Sequence, residues 1–229
     1  MQCRKRRLEE KMLDKEKVLR NAAIEQTNLA THVVTEDIPP FDGSVVTGVD
    51  VHFSASLAFG CAAVVDAATL KRVQIVTVSK EVDFDYVPGY LYLREGPIIL
   101  DLLKLLDATG PVMIDGNGIL HPRRLGLASY VGVILKTQTI GVAKRLHIGT
   151  IGNRVDNEAP ILDGREEIGK AVWLGKANPL FVSVGNNITL STSVEVVKLS
   201  STNGYPEPLR RAHSIAKSKS RERVDSKQT

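Results

Sequence analysis

Apolar residues recur at Leu8, Met12, Leu19, Ala22, Ala23, Leu29 and Val33 with charges between them. The spacing is roughly helical and predicts a long amphipathic helix over residues 8–34. Ile38-Pro39-Pro40-Phe41-Asp42-Gly43 breaks it. Residues 45–53 then turn rich in β-branched side chains and predict a strand, with one acid, Asp50, inside an otherwise apolar run. A buried carboxylate is costly unless it is paired or metal-bound, which marks Asp50 as a functional candidate. Residues 57–65 and 71–78 predict two more strands, joined by a hairpin connection over 66–69.

The pattern then alternates. A helix is expected from Gly96-Pro97 through residue 106, a strand over 112–114, a helix over 125–135 and a strand over 139–143. Residues 153–165 are polar and loop-like; strands follow over 168–174 and 180–184, then a helix over 190–199. Tyr205-Pro206-Glu207-Pro208 introduces a final helix carrying Arg210, Arg211 and His213. Strands in a meander followed by βαβ-like alternation predict an α/β fold with a mixed sheet flanked by helices in a single domain.

The most informative stretch begins at residue 112. Val112, Met113 and Ile114 lead straight into Asp115, and Gly116 and Gly118 then give the backbone freedom to turn and present that carboxylate at a strand tip. His121, Arg123 and Arg124 follow as a basic cluster within reach of a polyanion. Gly116-Asn117-Gly118 does not open a dinucleotide fingerprint, because His121 stands where the third glycine belongs and Pro122 follows it. Taken alone, Asp115 would read as a turn cap and the arginines as a solvated face. Taken alone, Glu95 would read as a helix-terminus charge. Together Asp50, Glu95 and Asp115 are three carboxylates able to converge at one sheet edge, and with no thiolate nearby they select a hard cation, Mg²⁺ or Mn²⁺, over zinc.

Composition narrows the setting. The chain has 229 residues, 43% of them hydrophobic and 24% charged, with only two cysteines, Cys3 and Cys61. No disulfide framework or zinc–thiolate spacing is present, which predicts a reducing cytoplasm. No apolar run approaches the roughly 20 residues of a membrane span, and no signal-like apolar segment follows the N-terminal charges. The net charge of +4 is unevenly spread: residues 1–20 carry eight Lys/Arg against four Asp/Glu, residues 210–229 seven against two, and the body between is net −5. Basic ends suit nucleic acid, and an acidic body suits a polyanion substrate when its carboxylates hold divalent cations. This divides the chain into a catalytic region, 1–216, and a basic tail, 217–229. Three of the five tyrosines fall in residues 83–95 beside a Pro-Gly turn, where aromatic side chains can stack on bases.

These segments resemble the endonuclease V family, ribonuclease H-like enzymes that cleave nucleic acid near deaminated bases, chiefly inosine. The matching pieces are Gly48-Val49-Asp50, Tyr86-Val87-Pro88-Gly89 with Arg94-Glu95, Asp115-Gly116-Asn117-Gly118 through His121-Pro122-Arg123-Arg124-Leu125-Gly126, Gly141-Val142-Ala143-Lys144, Asn178-Pro179-Leu180-Phe181, and Pro206-Glu207-Pro208 with Arg211-Ala212-His213. They run in order over roughly residues 15–216. The resemblance implies that Asp50, Glu95 and Asp115 are metal-centred catalytic acids assisted by His213, and that Tyr86, in the Tyr86-Val87-Pro88-Gly89 loop, wedges into the gap left by a flipped base. It further implies that Gly89, Leu91, Gly116, Gly126 and Leu127 line a lesion pocket supported by His121, and that Lys144 meets a phosphate near the scissile bond. Arg123 and Arg124 would add nucleic-acid contacts and Pro88 would shape the wedge loop. The implied reaction cuts the second phosphodiester bond 3′ to the lesion, leaving 3′-hydroxyl and 5′-phosphate ends, by a monomer acting on duplex or single-stranded DNA, with RNA a competing substrate. Asp85 and Asn117 depart from the family pattern, where proline and histidine are frequent. Other readings are a ribonuclease H-like nuclease that selects junctions by shape, an inosine-specific endoribonuclease, and a nucleic-acid-binding protein without catalysis.

Overall fold

The computed structural model describes residues 2–82, 84–107 and 110–225, with side chains described for 14–82, 84–107 and 110–222. The chain runs α1 (Gln2–Ala30), β1 (Val45–Ser54), β2 (Leu57–Asp66), β3 (Arg72–Glu81), α2 (Leu91–Leu103), β4 (Val112–Asp115), α3 (Leu127–Leu135), β5 (Thr139–Ala143), β6 (Thr150–Ile151), β7 (Glu158–Asp163), β8 (Glu166–Val172), β9 (Leu180–Asn186), α4 (Leu190–Leu199), β10 (Ser201–Thr202), β11 (Tyr205–Pro206) and α5 (Glu207–Asp225). A nine-stranded sheet in the order β3-β2-β1-β4-β5-β9-β8-β7-β6 spans the molecule. The central pairs β1/β4 and β4/β5 are parallel, and the flanking pairs are antiparallel.

Strand parity sorts side chains between two helical layers. Val49, Val112 and Ile114 pack with Ala22 of α1, Ile98 and Leu102 of α2, and Val131 of α3. Val46, Met113 and Val142 pack on the other face with Val194 and Val197 of α4 and Leu209 of α5. By the same parity Asp50 and Asp115 share the α4/α5 face. The first turn of α5 lies directly on β1: a Cβ at Gly48 would stand 2.2 Å from the Pro208 carbonyl carbon. Only glycine permits that approach, and it sets the height at which α5 passes Asp50.

Several expectations change. The N-terminal helix starts at Gln2 and ends at Ala30, and the amides of Thr31, His32 and Val33 tighten onto carbonyls three residues back. Leu8 and Met12 lie outside the residues whose side chains are described. Helix α2 begins at Leu91, ahead of the Gly96-Pro97 start signal, so Glu95 sits inside it and Pro97 lies in its second turn, where one backbone hydrogen bond is missing. Residues 153–157 and 164–165 are irregular as expected, but β7 occupies 158–163 between them, burying Ala159 and Ile161 while its alternate positions stay more accessible. The strand was hidden because it is short, has acids at both ends and carries Pro160, which argues against a strand. Helix α5 runs unbroken past residue 216 to Asp225, so the basic segment continues the helix that carries His213. Residues 226–229 lie outside the described residues.

Candidate active site

Parallel register brings the two strand acids together. Val49 of β1 pairs with Ile114 of β4, so the next residues, Asp50 and Asp115, are neighbours on one face of adjacent strands. Helix α5 brings His213 over them, with Nδ1 2.7 Å from Asp50 Oδ2. Lys144, just past β5, donates from Nζ to Asp115 Oδ2 at 2.6 Å, and the Tyr205 hydroxyl donates to the same oxygen at 3.4 Å. Glu95 enters from α2, close enough that both aspartates act on it electrostatically.

The cluster is short of positive charge. Burial, then Asp50 and Asp115, push the Glu95 carboxyl up to about 8, against the opposing pull of Arg94. Burial and Asp115 likewise raise Asp50, although the His213 hydrogen bond works the other way. Burial disfavours the Lys144 ammonium, but Asp115 and Tyr205 together outweigh it and the net shift is upward. Carboxylates crowded together in a partly buried site, with a lysine on one of them, are the donor set a hard divalent cation fits. Among the described residues no three His, Cys, Asp or Glu side chains form a ready-made metal cage.

A cleft lies beside the acids, under the loop before α2. Gly89, Leu91, Gly116, Gly126 and Leu127 line it, with Tyr86 and His121. Tyr86 is 61% exposed. Gly89 needs its left-handed φ of +79°, and its carbonyl is clamped by Arg123 Nη2 at 2.7 Å and His121 Nε2 at 3.2 Å. Since the carbonyl only accepts, Nε2 carries the proton, and Nδ1 accepts from the Arg123 amide at 3.2 Å. His121 is therefore neutral; burial first, then Arg123 and His147, bring its pKa down to about 4. Gly116 and Gly118 do not supply the expected backbone freedom, for neither has positive φ. Gly118 instead permits close packing: a Cβ there would sit 1.9 Å from the Val184 carbonyl oxygen.

The family model for endonuclease V matches residues 27–214. The curated endonuclease V of Thermofilum pendens is 37% identical over 213 residues, covering 91% of this chain and 92% of that one. The chain belongs to the endonuclease V family. The crystal structure of the endonuclease V from Streptomyces avermitilis has a TM-score of 0.83 at 36% identity, covering 90% of this chain and 94% of that one. The Ciona intestinalis endonuclease V, in complex with a 24mer DNA containing an inosine followed by a ribo-adenosine, has a TM-score of 0.82 at 28% identity, covering 90% and 99%. This endonuclease V family member is an endonuclease, with the mixed α/β single domain of those structures.

Within this family member, the residues singled out by sequence fall into two adjoining groups. Asp50, Glu95, Asp115, His213 and Lys144 form the acid cluster; Tyr86, Gly89, Leu91, Gly116, His121, Gly126 and Leu127 form the cleft, with Pro88 in the turn above it. The arginines of the basic cluster have partners within the protein. Arg123 is held by Gln26 Oε1 at 2.7 Å and stacks 4.4 Å over the Tyr90 ring, while Arg124, at φ +53°, is paired with Asp163 and Glu166 at 2.8 Å each. Both guanidinium groups are engaged with protein. Asp85 faces Lys15 of α1 at 3.8 Å across exposed surface, a pair worth little. Gln26, Tyr92, Asn117 and His147 also line the cleft and were not assigned from sequence. Gln26 and Tyr92 get there through the docking of α1 on α2 and the glycine loop, and His147 by stacking 5.5 Å from His121; only the substitution at Asn117 carried a signal in the chain itself.

Proposed function

We propose that this endonuclease is metal-dependent, recognises deaminated bases, chiefly inosine, in DNA, and hydrolyses the second phosphodiester bond 3′ to the lesion. It would leave 3′-hydroxyl and 5′-phosphate ends and act in the repair of deaminated DNA in a reducing cytoplasm. The observation that carries the reading is the adjacency of the carboxylate cluster to the cleft beneath Tyr86. Asp50, Glu95 and Asp115 would hold Mg²⁺, with Mn²⁺ as substitute; such a cation, when bound, activates water and offsets charge on the leaving oxygen. Because His213 Nδ1 is tied to Asp50, Nε2 is the nitrogen left to hold or release a proton at the reacting oxygens. Lys144 would turn from Asp115 to a phosphate beside the scissile bond. Tyr86 would fill the gap left by the extruded base, and a mismatched inosine costs less to extrude than a well-paired base.

The test uses a single-inosine duplex, the undamaged duplex, a junction duplex, and inosine-containing single-stranded DNA and RNA, each in Mg²⁺ and in EDTA, with the product ends mapped. One nick, at the second bond 3′ to inosine and only in Mg²⁺, is expected. Equal cutting of the undamaged junction would make the enzyme a shape-selecting nuclease. Faster cutting of the inosine RNA would make RNA the preferred substrate. Cutting in EDTA would remove the metal.

A further inference from the structure

Helix α5 does more than deliver His213. Its buried stripe is Ala212, Ala216 and Ser220, packed toward the sheet beside Cys61 and Ala63 of β2. One residue further round the helix, at four-residue spacing, stand His213, Lys217 and Arg221. Side chains four apart lie on one face about 6 Å apart along the axis, so the two cations continue the line that starts at the Asp50–His213 contact. His52 marks where that line runs: two residues beyond Asp50 on the same face of β1, its ring lies 6.4 Å from His213.

Several cations around the acids are already engaged: Lys144 by Asp115, Arg124 by Asp163 and Glu166, Arg210 and Arg211 by Glu207, and Arg94 over the Phe53 ring. On the opposite flank of α5, Lys219 pairs with Glu222 at 3.0 Å. Among the described residues no carboxylate pairs with Lys217 or Arg221. Compensation of the helix dipole does not account for the arrangement, since that effect is confined to the last turn and Lys217 stands about two turns before Asp225. The cleft beneath Tyr86 opens beside α1 and α2, whereas α5 covers the other face of the sheet, with the acids between them.

We propose that Lys217 and Arg221 form a phosphate-binding ridge that holds the nucleic-acid strand where it leaves the acid cluster on the α5 side. The ridge rests on the reading of the cluster as a nuclease centre, and fixes the course of the strand: from the cleft, across Asp115 and Asp50, and along α5. Side chains of Arg223 and Lys227, on the same basic segment, lie outside the described residues.

The experiment measures affinity for the single-inosine duplex over a range of salt concentrations, for the wild type, the double variant Lys217→Gln/Arg221→Gln, and Lys219→Gln. Thermal unfolding of each confirms the fold. Two lost phosphate contacts flatten the slope of log affinity against log salt by about 1.8, at about 0.9 per contact on duplex DNA. Lys219→Gln leaves it where it was. A wild-type slope in the folded double variant overturns the ridge, as does an equal flattening by Lys219→Gln, which would mean diffuse attraction with no strand path. Loss of inosine preference in the wild type, by contrast, would count against the proposed function, so the two failures are told apart.

Discussion

His121 is 4% exposed between the Gly89 carbonyl and the Arg123 amide, and its neutrality has a consequence for stability. The native pKa lies near 4 and the unfolded value near 6.5. Between those values the unfolded chain binds a proton that the native state refuses, so stability falls as pH drops through the window and is flat above it. Urea unfolding should show a loss of about 2 kcal/mol from this residue between pH 7 and pH 5, absent in His121→Gln. An equal pH slope in both proteins would contradict the assignment. Tyr86 is the opposite case, an exposed ring with little to lose on folding. Tyr86→Ala should leave the unfolding midpoint unchanged and weaken inosine-duplex binding by about 1–3 kcal/mol, with much less effect on undamaged duplex. Equal losses on both duplexes would make Tyr86 a general contact.

Elements show why two glycines of one loop differ. At Gly118 a methyl group would meet the Val184 carbonyl at 1.9 Å, inside the crossing of the loop over β5 and β9. At Gly116 it would meet Leu127 at 3.5 Å, an ordinary contact on the wall of the cleft. Gly118→Ala should therefore cost folding stability, about 1–3 kcal/mol or more, while Gly116→Ala should fold normally and lose preference for inosine over undamaged duplex. The pair is read by thermal melts and paired affinity measurements, and the reverse pattern would refute the packing. The same contrast explains what was legible in the chain. Strands β1, β2, β5 and β9 could be read because they are apolar over most of their length, as central strands covered on both faces must be. Strand β7 could not, because it is short, bounded by Glu158 and Asp163, and interrupted by Pro160. The start of α2 was misread because Pro97, usually a first-turn residue, lies in the second turn.

At the scale of the molecule, Asp50 and Asp115 were visible because each is a charge set in or at the end of an apolar run, whereas Glu95, beside Arg94, reads alone as a helix-terminus charge. Their convergence depends on the parallel register of β1 and β4, and the contributions of Gln26 and His147 depend on docking between distant segments; neither is written locally. The ends of the chain meet the active region in different ways, α1 buttressing the cleft through Gln26 and α5 carrying His213 and the ridge. The proposed hydrolytic centre is the cluster that Asp50, in the middle of β1, forms with Asp115 at the end of β4. It is tested most directly by single-turnover cleavage of a single-inosine duplex in Mg²⁺ by the wild type, Asp50→Ala and Asp115→Ala, with binding measured in parallel in Ca²⁺, whose larger and looser coordination should support binding with little cutting. The account predicts that both variants still bind the lesion while cleavage falls to background. Near-wild-type turnover in either variant would contradict it.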